Sequence, residues 1–214
     1  MADYLGIISE AVQNGDDEKA VQTVEEALRS GISAADILDK GLIPGIQALG
    51  ERFKSGEAYL PEILISGRAM TQGVEVLKPY FSTEDEMQKQ GIVVLGAVEG
   101  DLHDIGKNLV KLMLESNGFR VVDLGTDVPA ASFADAAREQ KADIVGISAL
   151  LTLTMTSIPR VLDALEESGM RDKVRVMVGG APVTREFADS IEAEGFAEDC
   201  VSAVDEAKRL MNMK

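Results

Sequence analysis

Residues 92–106 read IVVLGAVEGDLHDIG, an unbroken apolar run that leads directly into a loop of glycines and charged side chains. A continuous apolar run of this length is typical of a strand buried on both faces of a sheet. Further strands are predicted at 119–124, 142–148 and 173–178, where apolar residues dominate, and a short fifth strand is predicted at 196–200. Because helical patterns separate these segments, the sequence predicts a doubly wound parallel sheet of alternating strands and helices.

The helices of this α/β domain are predicted from the spacing of apolar residues between the strands. They lie at 107–116, 131–140, 155–167 and 184–194, and a last helix ends at Met211. We expect the α/β domain to span residues 89–214.

Residues 1–81 instead carry apolar side chains at helical spacing in four segments, the last from Leu60 to Leu77. Pro44-Gly45 lies inside the third segment and predicts a kink or break there. Four helices joined by short loops predict a small bundle. The polar residues 82–90 have the composition of a linker, so we expect a helical domain with its linker at residues 1–88.

The formal net charge of −16 on 214 residues limits the partners of the chain. An acidic surface repels phosphate backbones and anionic headgroups, so we expect neither nucleic-acid nor membrane binding. The single Cys200 excludes an internal disulfide and a thiolate cluster for zinc or iron–sulfur. We see no signal peptide pattern and no apolar run long enough to span a bilayer, and we expect a cytoplasmic protein.

The only histidine, His103, lies two residues after Asp101 in the loop that follows the first predicted strand. Ligands of doubly wound sheets bind at this edge. An imidazole offers a neutral nitrogen to a metal, and a carboxylate on its other nitrogen fixes the tautomer. An ordinary surface histidine is the competing interpretation. Zinc needs more protein ligands, whereas a sole histidine fits an ion held by a macrocycle such as haem or a corrinoid.

The third predicted strand ends in Ser148-Ala149-Leu150 and the fourth in Gly179-Gly180. Two adjacent glycines fit either a tight turn or a place where a ligand approaches bare backbone, and Ser148 and Leu150 would line the same slot.

Phosphate-binding alternatives fit the sequence less well. The stretch from Gly100 to Asn108 is one residue too long for a P-loop and ends in asparagine where serine or threonine is needed. No G-x-G-x-x-G follows the first strand, which disfavours a dinucleotide site. A receiver-type domain would need an aspartate where the third strand ends in Ser148.

Taken together, Asp101-x-His103-x-x-Gly106, Ser148-x-Leu150 and Gly179-Gly180 resemble the cobalamin-binding signature. It is the signature of cobalamin-dependent methionine synthase and of the corrinoid proteins of methyltransferase systems. The segment from Gly41 to Met70 resembles the helical cap that precedes that domain, so the resemblance covers almost the whole chain. It implies a four-helix bundle cap followed by a flavodoxin-like, Rossmann-like B12-binding domain.

The resemblance further implies base-off, histidine-on binding of cobalamin. The nucleotide tail would leave the cobalt and thread down a slot in the sheet domain, with His103 as the lower axial ligand. Asp101 would hydrogen-bond to His103. In methionine synthase, a serine six residues after the serine of the Ser-x-Leu pair completes a proton relay. Thr154 occupies that position here and keeps the hydroxyl.

The other cofactor contacts that the resemblance implies fall into three groups. In the first loop they are Gly100, Leu102, Asp104, Ile105 and Gly106. At the later strand ends they are Ser148, Leu150, Thr152, Gly179, Gly180 and Ala181. In the cap they are Tyr59, Leu60, Ile63 and Met70, for which a place in the core of the bundle is the competing interpretation.

A protein of this kind shuttles a methyl group, through Co(I) and methyl-Co(III), between two enzymes. One is a donor-specific methyltransferase, and the other acts on an acceptor such as tetrahydrofolate or a thiol. A reductive activation protein is a third implied partner. We expect the chain to catalyse neither half-reaction alone, because 214 residues leave no room for a donor-binding barrel.

Three alternatives stay open at this point. A cobalamin-dependent sensor or regulator would normally add a DNA-binding domain. The small subunit of an adenosylcobalamin mutase would lack the helical cap. A receiver-like or nucleotide-binding α/β protein would bind no corrinoid.

Overall fold

The computed structural model describes residues 3–81 and 90–212, and the chain divides into two compact units, residues 1–89 and 90–214. The predicted linker at 82–90 lies outside the described residues except for Gln90. No helix of the described residues combines the length and apolar character that a membrane crossing requires.

The first unit is helical, as predicted, and the third of the four expected segments is divided into two helices. Asp3, Asp16 and Ser33 each cap a helix by accepting a hydrogen bond from a backbone N–H of its first turn. The helices are α1 (Tyr4–Gln13), α2 (Asp17–Arg29), α3 (Ala34–Ile37), α4 (Ile43–Lys54) and α5 (Leu60–Leu77), followed by a 3₁₀ turn (Lys78–Tyr80).

The break predicted around Pro44 takes the form of a π-helical turn, Leu38–Leu42, between α3 and α4. Pro44 itself is the second residue of α4, and it has no N–H to donate back into the π-helical turn. Gly45 lies against α1, because a Cβ at this position would stand 2.7 Å from the Ser9 carbonyl oxygen. The small residue therefore lets α1 and α4 approach closely.

The second unit is a five-stranded sheet in the order β2-β1-β3-β4-β5, with every pair parallel. This confirms the doubly wound prediction. The strands are β1 (Gly91–Val98), β2 (Phe119–Val128), β3 (Ile144–Ser148), β4 (Arg175–Gly179) and β5 (Gly195–Ala197). The chain leaves β1 toward β2 and later returns to β3 on its other side, so the strand order reverses between β1 and β3. Ligands of such sheets bind at this switch point.

The helices of the second unit cover both faces of the sheet, as in other doubly wound folds. They are α6 (Ile105–Ser116), α7 (Ala130–Gln140), α8 (Thr152–Met155), α9 (Ile158–Glu167), α10 (Arg185–Ser190) and α11 (Cys200–Met211). Phe119 and Phe133 are the largest fully buried side chains of this unit. Gly96 makes room for one of them, because a Cβ there would lie 2.8 Å from the Phe133 ring.

Four sequence-based bounds in this unit need correction. The helix predicted at 184–194 ends at Ser190, and the strand predicted at 196–200 ends at Ala197, before α11 begins. β2 does not stop at Leu124 but continues to Val128, with two irregularities in its register against β1. The single helix predicted at 155–167 is two helices, α8 and α9. Pro159 explains the second start, because proline fits the first turn of a helix but not its interior.

Candidate functional site

Asp101 is the centre of the hydrogen-bonding at the end of β1. It is fully buried, and both carboxylate oxygens accept two hydrogen bonds. Oδ1 accepts from the backbone N–H of His103 at 3.0 Å and bonds to the His103 Nδ1 at 2.8 Å. Oδ2 accepts from the Leu150 N–H at 2.6 Å and from the Thr154 hydroxyl at 2.6 Å. One carboxylate thus ties the loop after β1 to the loop after β3.

These contacts keep the carboxyl ionised. Burial alone would raise the pKa of Asp101, because it removes the charged form from water. The hydrogen bonds from Thr154, Leu150 and His103 outweigh burial and hold the pKa well below its ordinary value. An ionised carboxylate only accepts hydrogen bonds.

His103 must therefore donate from Nδ1 to Asp101. In the neutral imidazole this leaves the lone pair on Nε2, the nitrogen that a metal would bind. The imidazole is 47% exposed, whereas the Asp101 side chain is 1% exposed. The buried acid thus fixes the ring, and the ring presents its other edge at the surface.

Exposed apolar side chains lie in the same loop as this histidine and in the loop after β3. Among the described residues of the second unit, the large hydrophobic side chains that remain exposed all lie in the loops after β1 and β3 or in the first turns of α6 and α8. They are Leu102, Ile105, Leu150, Leu151 and Leu153, with exposures from 40% to 81%. Exposed apolar patches of this kind mark ligand or partner sites.

Leu151 and Leu153 of this patch were not among the predicted site residues. Leu153 is the most exposed of the five, at 81%. A run of leucines directly after a buried strand, in 150–153, was the available signal. In α8 the side chain that points into the protein is that of Thr154, so the neighbouring leucines remain exposed.

The predicted residues at the end of β3 are brought to Asp101. Thr154 is buried, and its hydroxyl lies between Asp101 and the Leu151 backbone. Ser148 is the last residue of β3 and is half-buried. Leu150 contributes a backbone donor and an exposed side chain, while Thr152 is exposed at the start of α8.

Gly179 and Gly180 are required by neighbouring backbone. A Cβ at Gly180 would lie 1.9 Å from the Ala149 carbonyl oxygen, and the φ of Gly180 is +123°. A Cβ at Gly179 would lie 2.8 Å from the Ala197 carbonyl oxygen. Packing between strand ends is therefore enough to demand both glycines. Ala181, which follows them, is exposed.

Gly106 has the opposite environment. It is exposed in the first turn of α6, and an added Cβ would meet no protein atom within 4 Å. Packing within the described chain gives no reason for glycine there. Asp104 is exposed beside it and accepts a hydrogen bond from the Asn108 side chain.

The four predicted cap residues differ in exposure. Tyr59 and Leu60, at the start of α5, are 68% and 48% exposed. Ile63 and Met70 are buried. Their roles stay predictions.

Two further groups hold the loop after β1, and the sequence analysis identified neither as part of the site. Lys107 is buried in the first turn of α6 and forms an ion pair with Asp123 of β2 at 2.6 Å. Asp127 accepts a hydrogen bond from the Gly100 N–H at 2.7 Å. The available signal was the presence of two acidic residues, Asp123 and Asp127, within the segment 119–128.

The donor set fits a metal whose other ligands come from a macrocycle. No cluster of three or more histidine, cysteine, aspartate or glutamate side chains suited to a metal occurs within residues 3–81 and 90–212. Cys200 is buried, and burial raises the pKa of its thiol to about 11, so it does not supply a thiolate. His103 Nε2 on an apolar surface is what a corrinoid or a haem would need from the protein.

Comparison with known proteins distinguishes between these cofactors. Residues 91–210 match a B12 binding domain family, and residues 7–78 match a second family of the same description. The trimethylamine corrinoid protein 1 of Methanosarcina acetivorans is 41% identical over 94% of each chain. The dimethylamine corrinoid protein 2 of the same organism is 42% identical over 98% of this chain and 96% of its own.

A solved structure agrees with these relatives. A chain of the methanol:cobalamin methyltransferase complex from Methanosarcina barkeri superposes with a TM-score of 0.88 and 30% identity. The superposition covers 99% of this chain and 81% of the other. Because the family match from 91 to 210 includes the loop of Asp101 and His103 and spans more than half of the sequence, this chain belongs to the B12 binding domain family.

Proposed function

We propose that this chain is a corrinoid protein that carries a methyl group between two methyltransferases. The observation that carries the proposal is the Asp101–His103 pair, with Nδ1 bound to a buried carboxylate and an imidazole that is 47% exposed. The named relatives are corrinoid proteins of methylamine systems, and the superposed structure is a methyltransferase complex. Both point to the same role.

His103 would hold the cobalt through Nε2, which is the base-off, histidine-on arrangement. Bound there, the corrinoid supplies the cobalt centre that accepts a methyl group from one enzyme and gives it up to the next. The apolar side chains of Leu102, Ile105 and Leu153 suit the face of a large, mostly apolar ring. Ser148, Leu150 and the two glycines at 179–180 remain the proposed lining of the tail slot.

Asp101 and Thr154 would govern the proton on His103. The carboxylate holds a proton on Nδ1 at 2.8 Å, and the Thr154 hydroxyl stabilises the opposite oxygen at 2.6 Å. Because Asp101 stays ionised and Nδ1 already carries a proton, the pair would take up a further proton at Nε2, and the carboxylate would stabilise the resulting charge. This is the relay that we assign to Asp101, His103 and Thr154.

The partners we propose are a donor-specific methyltransferase, an acceptor methyltransferase and a reductive activation protein. The relatives differ in donor, since their names specify trimethylamine and dimethylamine at nearly equal identity, and the superposed complex acts on methanol. Similarity over the whole chain therefore does not decide the donor.

The test is transfer of a labelled methyl group. The cobalamin-loaded chain is reduced and incubated with radiolabelled trimethylamine, dimethylamine or methanol and the corresponding methyltransferase, then separated by gel filtration. We expect label to elute with this chain for one donor and to pass to an acceptor thiol when a second methyltransferase is added. Absence of label with every donor, from protein that has bound cobalamin, would contradict the carrier role.

Gly106→Ala separates cofactor binding from folding. The free chain has room for the methyl group, and alanine is the better helix former, so we expect its stability to be unchanged or slightly higher. If the open space belongs to the corrinoid, the added methyl group forces overpacking, and cobalamin affinity falls about 10-fold or more. Thermal unfolding of the apo chain and an absorbance titration with cobalamin measure the two effects. Unchanged affinity would place the ring elsewhere.

A further inference from the structure

Asp127 has an unusual backbone at the carboxyl end of β2. Its φ is +54°, one of three positive values among the described non-glycine residues. Gly96 pairs with Gly125 and Val98 with Val128, so β2 has one residue more than β1 over this stretch. The extra residue bends the edge strand over the loop that follows β1.

The bend brings Asp127 into a reciprocal contact with that loop. Its carboxylate accepts a hydrogen bond from the Gly100 N–H at 2.7 Å, and its own N–H donates to the Asp101 carbonyl oxygen at 2.9 Å. Gly100 has a φ of +84° and also faces Thr154, because a Cβ there would lie 3.7 Å from the Thr154 methyl carbon. The two residues before the His103 turn are therefore held by β2 on one side and by α8 on the other.

We propose that Asp127 is a positioning residue for the axial histidine. By fixing the backbone of Gly100 and Asp101, it sets the direction of the Asp101 carboxylate, which in turn holds His103 through Nδ1. A backbone conformation that side chains rarely adopt is retained where the surrounding structure needs it. Aspartate satisfies both needs, since it tolerates this conformation and supplies the acceptor.

Because the sequence has a single histidine, every histidine signal of the apo chain comes from His103. We would label the chain with ¹⁵N-histidine and read the His103 tautomer from the imidazole nitrogen shifts, well above the pH range in which an ordinary histidine protonates. This measurement needs no cofactor. The tautomer result therefore does not depend on the proposed function. Only its consequence for cobalt ligation rests on that function.

Asp127→Gly removes the carboxylate and keeps a residue that adopts positive φ freely. We expect the ratio of the Nδ1–H to the Nε2–H tautomer to fall about 10-fold, as for the loss of alignment in one charge-assisted hydrogen bond. Asp127→Asn keeps an acceptor oxygen and tolerance of this φ, so it should retain most of the wild-type ratio. Glu99→Gln removes an exposed charge from the adjacent turn and serves as the matched control.

The same variants loaded with cob(II)alamin should show a smaller fraction of histidine-ligated cobalt for Asp127→Gly alone. A wild-type tautomer ratio in Asp127→Gly would overturn the proposal. If that variant does not fold, amide hydrogen exchange on the wild-type apo chain decides instead. The N–H groups of Gly100 and Asp127 must both be protected, and fast exchange of either would contradict the reciprocal hydrogen bonds between Asp127 and the loop after β1. Failure of wild-type protein to ligate cobalt through nitrogen would count against the proposed function and leave the apo result standing.

Discussion

Asp101→Asn is expected to weaken cobalamin binding or methyl transfer by about 10–100-fold, the usual cost of losing the hydrogen-bond partner of a metal-bound histidine. The carboxylate accepts four hydrogen bonds in a buried position. An asparagine amide has one acceptor oxygen and one NH₂ group, so in either orientation the NH₂ faces donors.

Each orientation of the amide has its own consequence. With NH₂ toward His103, Nδ1 must become the acceptor, and the proton moves to Nε2, where the metal would bind. With NH₂ toward Leu150 and Thr154, the Leu150 N–H loses its acceptor, which costs about 1–3 kcal/mol of unfolding free energy, whereas the Thr154 hydroxyl can accept from the NH₂ and donate to the Leu151 carbonyl. Cobalamin titration and denaturant unfolding of the same variant separate the two results. Glu99→Gln is the control. Wild-type cobalamin affinity in Asp101→Asn would contradict the relay assigned to Asp101, His103 and Thr154.

Gly180→Ala is expected to produce the largest loss of stability, about 3–5 kcal/mol in the second unit. The added Cβ would stand 1.9 Å from a backbone oxygen, which cannot rotate away, in a conformation of φ +123°. Strain at such an angle costs about 1–3 kcal/mol, and overpacking adds a similar amount. Since small proteins are stable by about 5–15 kcal/mol, this is a large fraction of the whole.

Gly169→Ala is the matched control for that variant, because Gly169 also has a positive φ, +66°, but no protein atom within 4 Å of an added Cβ. The difference between the two unfolding free energies reports the clash with Ala149 together with the greater backbone strain at φ +123° than at φ +66°. Ala149 precedes Leu150, whose N–H binds Asp101. We therefore expect any folded Gly180→Ala protein to bind cobalamin more weakly as well. Equal losses for the two variants would show that the Ala149 backbone yields.

The sequence was sufficient for the fold wherever one local signal determined an element. The helix predicted from Leu60 to Leu77 has those bounds, because Pro61 suits its first turn and Pro79 follows its end. The four longer strands were recognisable as apolar runs. The extension of β2 past Leu124 was not, because Gly125 and Asp127 interrupt the apolar pattern and only pairing with β1 keeps them in the strand.

For the site, the sequence identified the side chains but not the contacts between them. Asp101 and His103 were expected together because both follow the first strand at the ligand-binding edge of the sheet, and Thr154 was added to them only through the resemblance to methionine synthase. The Leu150 backbone donor and the Asp127 contact depend on how two loops approach each other, which spacing does not encode. The need for glycine at 179–180 was equally hidden from the sequence. The space that a side chain would need there is occupied by carbonyl groups from residues distant in the sequence.

The most direct test of the account is the EPR spectrum of the chain loaded with cob(II)alamin, recorded with ¹⁴N- and ¹⁵N-histidine. Because His103 is the only histidine, ligation through its imidazole predicts a nitrogen triplet that becomes a doublet on ¹⁵N labelling and is lost in His103→Ala. A triplet unchanged by labelling and by the substitution would mean that the cofactor keeps its own base and that His103 is not the ligand. Absence of corrinoid binding would contradict the cofactor assignment itself.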